Sequence, residues 1–122
     1  MKIFFDGGSR PLPNGMEIAV VIGGEVIVRR GLGAGTSMDA EWLALIEAMR
    51  LAGQRDIADA VLIGDAAAVI AQANGEARCP RSCLGHLQRL RAMPRPPGRV
   101  RIRYIKRTQN LAGIALARLH GR

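Results

Sequence analysis

An α/β fold on a mixed five-stranded sheet is what this sequence predicts, with an antiparallel three-stranded meander, further parallel strands, and helices on the faces. Three observations carry it. Apolar, β-branched runs fill the first thirty residues and are interrupted by glycine and proline signals. A long helical pattern follows, and strand-like and helix-like runs then alternate to the end of the chain. The resulting order, β-β-β-α-β-α-α-β-α, sets an antiparallel hairpin before α/β crossovers. The length, 122 residues, predicts one domain over residues 1–122.

Residues 2–6 read as the first strand, ending in a carboxylate, Asp6, and bounded by Gly7-Gly8. Pro11, Pro13, Asn14 and Gly15 read as a loop. "MEIAVVIGGEVIVRR" gives strands over 17–22 and 25–30, joined by Gly23-Gly24 as a hairpin turn. "GLGAG" lacks the lysine or acidic companion of a phosphate-binding loop and reads as a flexible exit. "TSMDAEWLALIEAMRLAGQ" predicts a helix, with N-cap oxygens at Thr36, Ser37 and Asp39 and a stop near Gly53. "AVLIGDA" is a strand running into Asp65, and "AAVIAQAN" a short helix ending at Gly75. A helix is expected over 80–93, a rigid loop at "MPRPPG", and a strand over 99–107 with alternating basic and apolar residues. A last helix spans 110–120.

Charge divides the chain. The net is +8. Residues 1–75 carry six basic and nine acidic side chains, a balance of −3, whereas residues 76–122 carry twelve basic and one acidic, a balance of +11. That asymmetry points to a polyanion partner, most often nucleic acid, against the alternative of a solvated arginine-rich surface. Aromatic residues are only 3% of the chain, which argues against a base-stacking platform. No apolar run is long enough to span a membrane, no signal-peptide pattern opens the chain, and two cysteines make no disulfide scaffold; the cytoplasm is the default expectation.

Three acids fall at convergent points of the inferred topology. Asp6 ends the first strand, Asp65 ends the fourth, and Glu41 lies early in the first helix. Each has an ordinary alternative: Asp6 as a turn former, Glu41 as a favourable helix-dipole charge, Asp65 as an N-cap. Together they repel one another, and a divalent cation with a preference for hard oxygen ligands, Mg²⁺ or Mn²⁺, relieves that repulsion.

These segments resemble type 1 ribonuclease H, of the ribonuclease H-like superfamily. "FFDGGSRPLPNG" resembles the family's first strand, "TSMDAEWLALIEAM" its glutamate-bearing helix, "LIGDAAAVIAQANG" its third acidic segment, and "IKRTQNLAGIALARL" its last helix. The resemblance implies metal-dependent endonucleolytic cleavage of RNA in RNA–DNA hybrids. It implies Asp6, Glu41 and Asp65 as catalytic metal ligands and Asn110 as a helper near the scissile phosphate. It also implies hybrid contacts at Gly7, Ser9, Arg10, Thr36 and Ser37, while Arg101, Arg103 and Arg107 read as phosphate contacts of the basic half.

The departures are definite. The family's fourth acid falls at Ile114, which cannot ligate a metal or orient a water. Ser37 and Met38 replace two asparagines, and Ala66 and Ala67 replace a polar pair. By the family's pattern the ion activating the water is weakened. The alternatives are a nucleic-acid-binding relative impaired in cleavage and a basic protein-interaction module.

Other residues carry weaker signals. Cys79, Cys83 and His86 resemble half of a zinc site, against the alternative that the cysteines share a helix face as small hydrophobes. Trp42 reads as core. Tyr104 reads either as a stacking residue or as a packed strand residue. His120, near the chain end, reads as disordered.

Overall fold

The computed structural model describes residues 1–121. The elements run β1 (Lys2–Arg10), β2 (Gly15–Ile22), β3 (Glu25–Arg29), α1 (Ser37–Gln54), β4 (Val61–Gly64), α2 (Ala67–Ala73), α3 (Leu84–Ala92), β5 (Arg101–Tyr104) and α4 (Leu111–Leu119). Single 3-10 turns at Arg81–Cys83 and Arg107–Gln109 precede α3 and α4. The five strands form one mixed sheet in the order β3-β2-β1-β4-β5. β1 to β3 are antiparallel, and β4 and β5 add in parallel to β1. The predicted fold class is the observed one.

The period-2 alternation of strands sorts side chains onto two unlike faces. Ile3, Phe5, Ile18, Val20, Ile22 and Leu62 join Trp42, Leu45, Met49 and Leu51 of α1 in the main core, which extends to Leu87 and Leu90 of α3. Ala19 and Val21 pack with Ala112 and Leu116 of α4 in a smaller cluster on the other face. β2 lies between β3 and β1, so all eight of its residues are buried, which explains its nearly unbroken apolar run. Trp42 is fully buried and donates its indole N–H to Gln72 Oε1 at 3.2 Å.

Helix α1 starts as its sequence requires. Thr36 Oγ1 accepts from the Asp39 N–H at 3.0 Å, and Asp39 Oδ2 accepts from the Thr36 N–H at 3.0 Å, a reciprocal capping box. No helix among the described residues is long and apolar enough to cross a membrane.

Three boundaries differ from expectation. β1 does not end at Asp6 but runs to Arg10, because β2 pairs with it as far as Arg10↔Gly15. Gly7 is therefore a strand residue: a Cβ there would collide with the Ala40 carbonyl, so α1 lies against bare backbone. β5 is four residues rather than nine, since β4 offers partners only from Val61↔Arg101 to Gly64↔Tyr104. The helix expected over 80–93 is a 3-10 turn leading into α3, so Cys79 precedes the helix and does not share a helical face with Cys83.

Candidate metal centre

The parallel pairing of β1 with β4 covers Lys2↔Val61, Ile3↔Leu62 and Phe4↔Ile63 and stops there. Asp6 and Asp65 each lie two residues beyond the last pair, at the same level, where the two strands part. Asp6 thus sits mid-strand, not at a strand end, yet at the carboxyl end of the parallel pairing, the usual place for reactive groups in such sheets. Glu41 comes from the second turn of α1, which Gly7 lets approach closely. One carboxylate oxygen from each of Asp6, Glu41 and Asp65 lies within 4.8 Å of the others.

The surroundings orient these groups. The Gly7 N–H donates to Glu41 Oε1 at 2.5 Å. Asn110 Nδ2 donates to Phe5 O at 3.0 Å and to Asp65 Oδ2 at 3.1 Å, while its Oδ1 accepts from the Ala112 N–H at 3.1 Å. Burial, then the charge of Asp65, pushes the Asp6 carboxyl up to about 6. Burial, then the charge of Asp6, pushes Glu41 up to about 9. A carboxylate set that resists full ionisation is chemically fitted to a divalent cation: three hard oxygens converge, and a bound positive charge removes the repulsion.

Asn110 is completely buried, and its amide is committed to the N-cap of α4, to β1 and to Asp65. Through these bonds Asn110, expected as a helper near the scissile phosphate, holds Asp65 and the start of α4. Along α4, a Cβ on Gly113 would stand 3.4 Å from Asp6 Oδ2 and 3.6 Å from Asp65 Oδ2. Ile114, the next residue, lines the same cleft.

That cleft, about 650 Å³, is lined by Asp6, Glu41 and Asp65 and by Gly7, Ser9, Arg10, Ser37 and Arg107 of the expected contact set. The positive charge of Arg107 acts on Asp6. Ser9 Oγ donates to Gly35 O at 2.5 Å, and the Thr36 hydroxyl is engaged in the capping box, so both hydroxyls are tied into the scaffold. Arg101 and Arg103 do not line the cleft. They border a separate shallow cavity with Asn74, Arg95 and Arg99 at the β5 edge. Tyr104 is exposed.

The half zinc site does not assemble. Among the described residues only Asp6, Glu41 and Asp65 form a potential metal cluster. His86 pairs with Asp39 at 3.0 Å and stacks on Trp42, while Cys83 is buried. Sequence reasoning missed one group. His120, expected to be disordered, is a placed residue of the cleft wall, with Nε2 2.5 Å from Glu17 Oε1. Glu17 is buried and also accepts from Arg10 Nε and Arg30 Nε, each at 3.3 Å. Burial alone would raise its pKa; the bond and charge of His120, then Arg10 and Arg30, lower it overall. The only signal in the sequence was a charged residue inside an otherwise apolar β2 run.

A family model described as reverse transcriptase-like matches residues 23–120. Comparison with curated proteins finds no match. Among solved structures, ribonuclease H1 from the halophilic archaeon Halobacterium salinarum aligns with a TM-score of 0.75 and 27% identity over 94% of this chain and 92% of that one. The N-terminal ribonuclease H domain of a Mycobacterium tuberculosis protein gives 0.76 and 22%, covering 94% and 93%. The ribonuclease H1 called LC11, solved in complex with an RNA/DNA hybrid, gives 0.71 and 21%, covering 94% and 91%. The last two share the fold.

Proposed function

This chain belongs to the reverse transcriptase-like family and resembles the type 1 ribonucleases H, and from that premise we propose that it hydrolyses the RNA strand of RNA–DNA hybrids with Mg²⁺ or Mn²⁺. The observation that carries this reading is the convergence of Asp6, Glu41 and Asp65 where β1 and β4 part. These three side chains would hold the cation. When bound, it supplies charge stabilisation at a phosphodiester and lowers the pKa of a water. The chain's own residues do the rest. Asn110 fixes Asp65, the Gly7 N–H fixes Glu41, and Arg107 places positive charge beside Asp6 for an incoming phosphate.

The hybrid in the LC11 complex supports nucleic acid as the partner. Gly7, Ser9, Arg10, Thr36 and Ser37 are proposed on the cleft side of that contact. Arg101 and Arg103 are proposed to meet backbone phosphate outside the cleft, since neither is paired with an acid among the described residues. A second reading, a binder with weak cleavage, is favoured by one observation: Ile114 lines the cleft where the family carries its fourth acid.

The test is incubation of the protein with labelled RNA–DNA hybrid, duplex RNA and duplex DNA across Mg²⁺ and Mn²⁺ concentrations. Metal-dependent cleavage of the hybrid's RNA strand is expected. Tight hybrid binding without cleavage at any metal concentration selects the second reading. No binding to any nucleic acid overturns both.

A further inference from the structure

The cleft has a second organised centre, at Glu17. Along β2, Glu17 lies two residues from Ala19, the register partner of Asp6, and its side chain shares the α4 face with Asp6. Two strand residues span about 7 Å. Along α4, His120 follows Gly113 by seven residues, about 10 Å of helix, and both line the cleft. The two measures agree: the Glu17 centre lies roughly 7–10 Å from the carboxylate cluster.

Glu17 is 5% exposed, and three cationic or potentially cationic groups converge on it. His120 and Arg10 share Oε1, and Arg30 takes Oε2. Both arginines are held only through Nε. Among the described residues no other side-chain hydrogen bond engages either guanidinium, so the Nη groups stay free while the buried carboxylate fixes each fork. Arg10 and Arg30 remain partly exposed, at 34% and 53% of their side chains. One anchored carboxylate on β2 therefore holds two guanidinium groups, Arg10 from β1 and Arg30 from just past the end of β3, each with donors to spare for a phosphate oxygen.

We propose that Arg10, which lines the cleft, and Arg30, beside its lining, both organised by Glu17 and His120, form a second phosphodiester subsite. It rests on the hybrid-cleaving reading and deepens it. A strand carries a phosphate roughly every 3.4 Å of helix axis, so the subsite grips the duplex two or three nucleotides from the phosphate at the carboxylates. Glu17 and His120 are positioning residues: Glu17 fixes the forks on β2, and His120 ties the end of α4 to the same carboxylate.

The experiment measures hybrid affinity by fluorescence anisotropy in EDTA, over a range of salt concentrations, so that cleavage plays no part. Arg10→Gln and Arg30→Gln each leave two partners on Glu17, so each single variant is expected to fold. Each should weaken binding about three- to tenfold, and the double variant should lower the slope of log Kd against log salt by about 0.9, the loss of one phosphate contact. The charge-matched control is Arg29→Gln. Arg29 pairs with Glu47 across the sheet edge from this cleft, and its loss should leave the slope unchanged. If the double variant unfolds, the two singles decide against that control. Arg10 and Arg30 variants that behave like Arg29→Gln overturn the subsite while hybrid binding by the parent stands. A parent protein that does not bind hybrid at all overturns the hybrid-cleaving reading with it.

Discussion

Two carboxylate centres share one cleft, and they are built in opposite ways. At the β1–β4 divergence three acids meet, with Arg107 as the neighbouring positive charge; burial, then the charge of Asp65, pushes Asp6 up, and burial, then the charge of Asp6, pushes Glu41 up. At the other end a single acid, Glu17, is surrounded by Arg10, Arg30 and His120 and is held below the usual carboxylate range. The first centre is short of positive charge and the second is saturated with it. Incomplete charge compensation in a fold that is otherwise satisfied marks the place where something must bind. No buried side-chain polar atom among the described residues lacks a hydrogen-bond partner, so this deficit is not a general looseness of the structure. The same reasoning keeps Glu17 out of the candidate metal centre: a carboxylate already holding two guanidinium groups is a scaffold for donors, not a ligand for a cation.

The largest expected effect comes from widening the contrast at the acidic centre. Asp65→Asn keeps the shape that Asn110 holds but removes one ligand charge. Hybrid cleavage should fall by about two orders of magnitude or more, roughly 2.7 kcal/mol. The Tm rise expected with Mn²⁺ in the parent should be absent from the variant, and without metal the variant should be as stable as the parent or more so. An equal Mn²⁺ response in both proteins rejects the centre as a metal site. A smaller effect, of opposite sign, is expected at Ile114, which lines the cleft next to Gly113, where α4 passes beside Asp6 and Asp65. Ile114→Asp should raise Mg²⁺-dependent cleavage by about tenfold or more, roughly 1.4 kcal/mol, and lower stability without metal. Ile114→Asn should do much less. An aspartate variant that folds, binds hybrid and cleaves no faster shows that α4 does not present residue 114 to the cation.

The difference between the two centres also explains what could be read from the chain. Asp6, Glu41 and Asp65 could be read as a group because each lies in or beside an element whose type follows from local pattern, and topology brings such elements together. The capping box at Thr36 and Asp39 was legible for the same local reason. Three things were not local. β1 continues through Gly7 only because β2 pairs beyond it and α1 rests on its bare backbone. The bonds by which the fully buried Asn110 amide joins α4, β1 and Asp65 do not follow from its place in the sequence. The Glu17 centre draws partners from positions 10, 30 and 120, and neither period nor spacing relates them. Convergence onto one buried charge is a property of the fold.

The smallest expected effect is in the pH dependence of stability, where the two centres should act with opposite signs. Asp6 rises from 3.8 to about 6 on folding, and Glu41 from 4.5 to about 9. The native state thus holds protons that the unfolded chain has released, and stability without metal must fall as pH rises from about 4.5 towards 9. Glu17 is lowered, so its contribution is complete above its unfolded value of 4.5 and is lost as pH falls through its lower native value. Glu47 and Asp39, lowered by Arg50 and by the Thr36 N–H respectively, act in the same direction as Glu17. In EDTA, Tm should therefore peak in the mildly acidic range and fall toward pH 9. Mn²⁺ should flatten the alkaline side, because a bound cation replaces the protons, and leave the acid side in place. Glu41→Gln should flatten the alkaline side without metal, since the raised carboxyl is gone, and Glu17→Gln should weaken the acid side alone. A Tm that stays level from pH 5 to 9 in EDTA would mean that Asp6 and Glu41 are not held protonated by the fold, and the contrast between a starved and a saturated centre would then collapse.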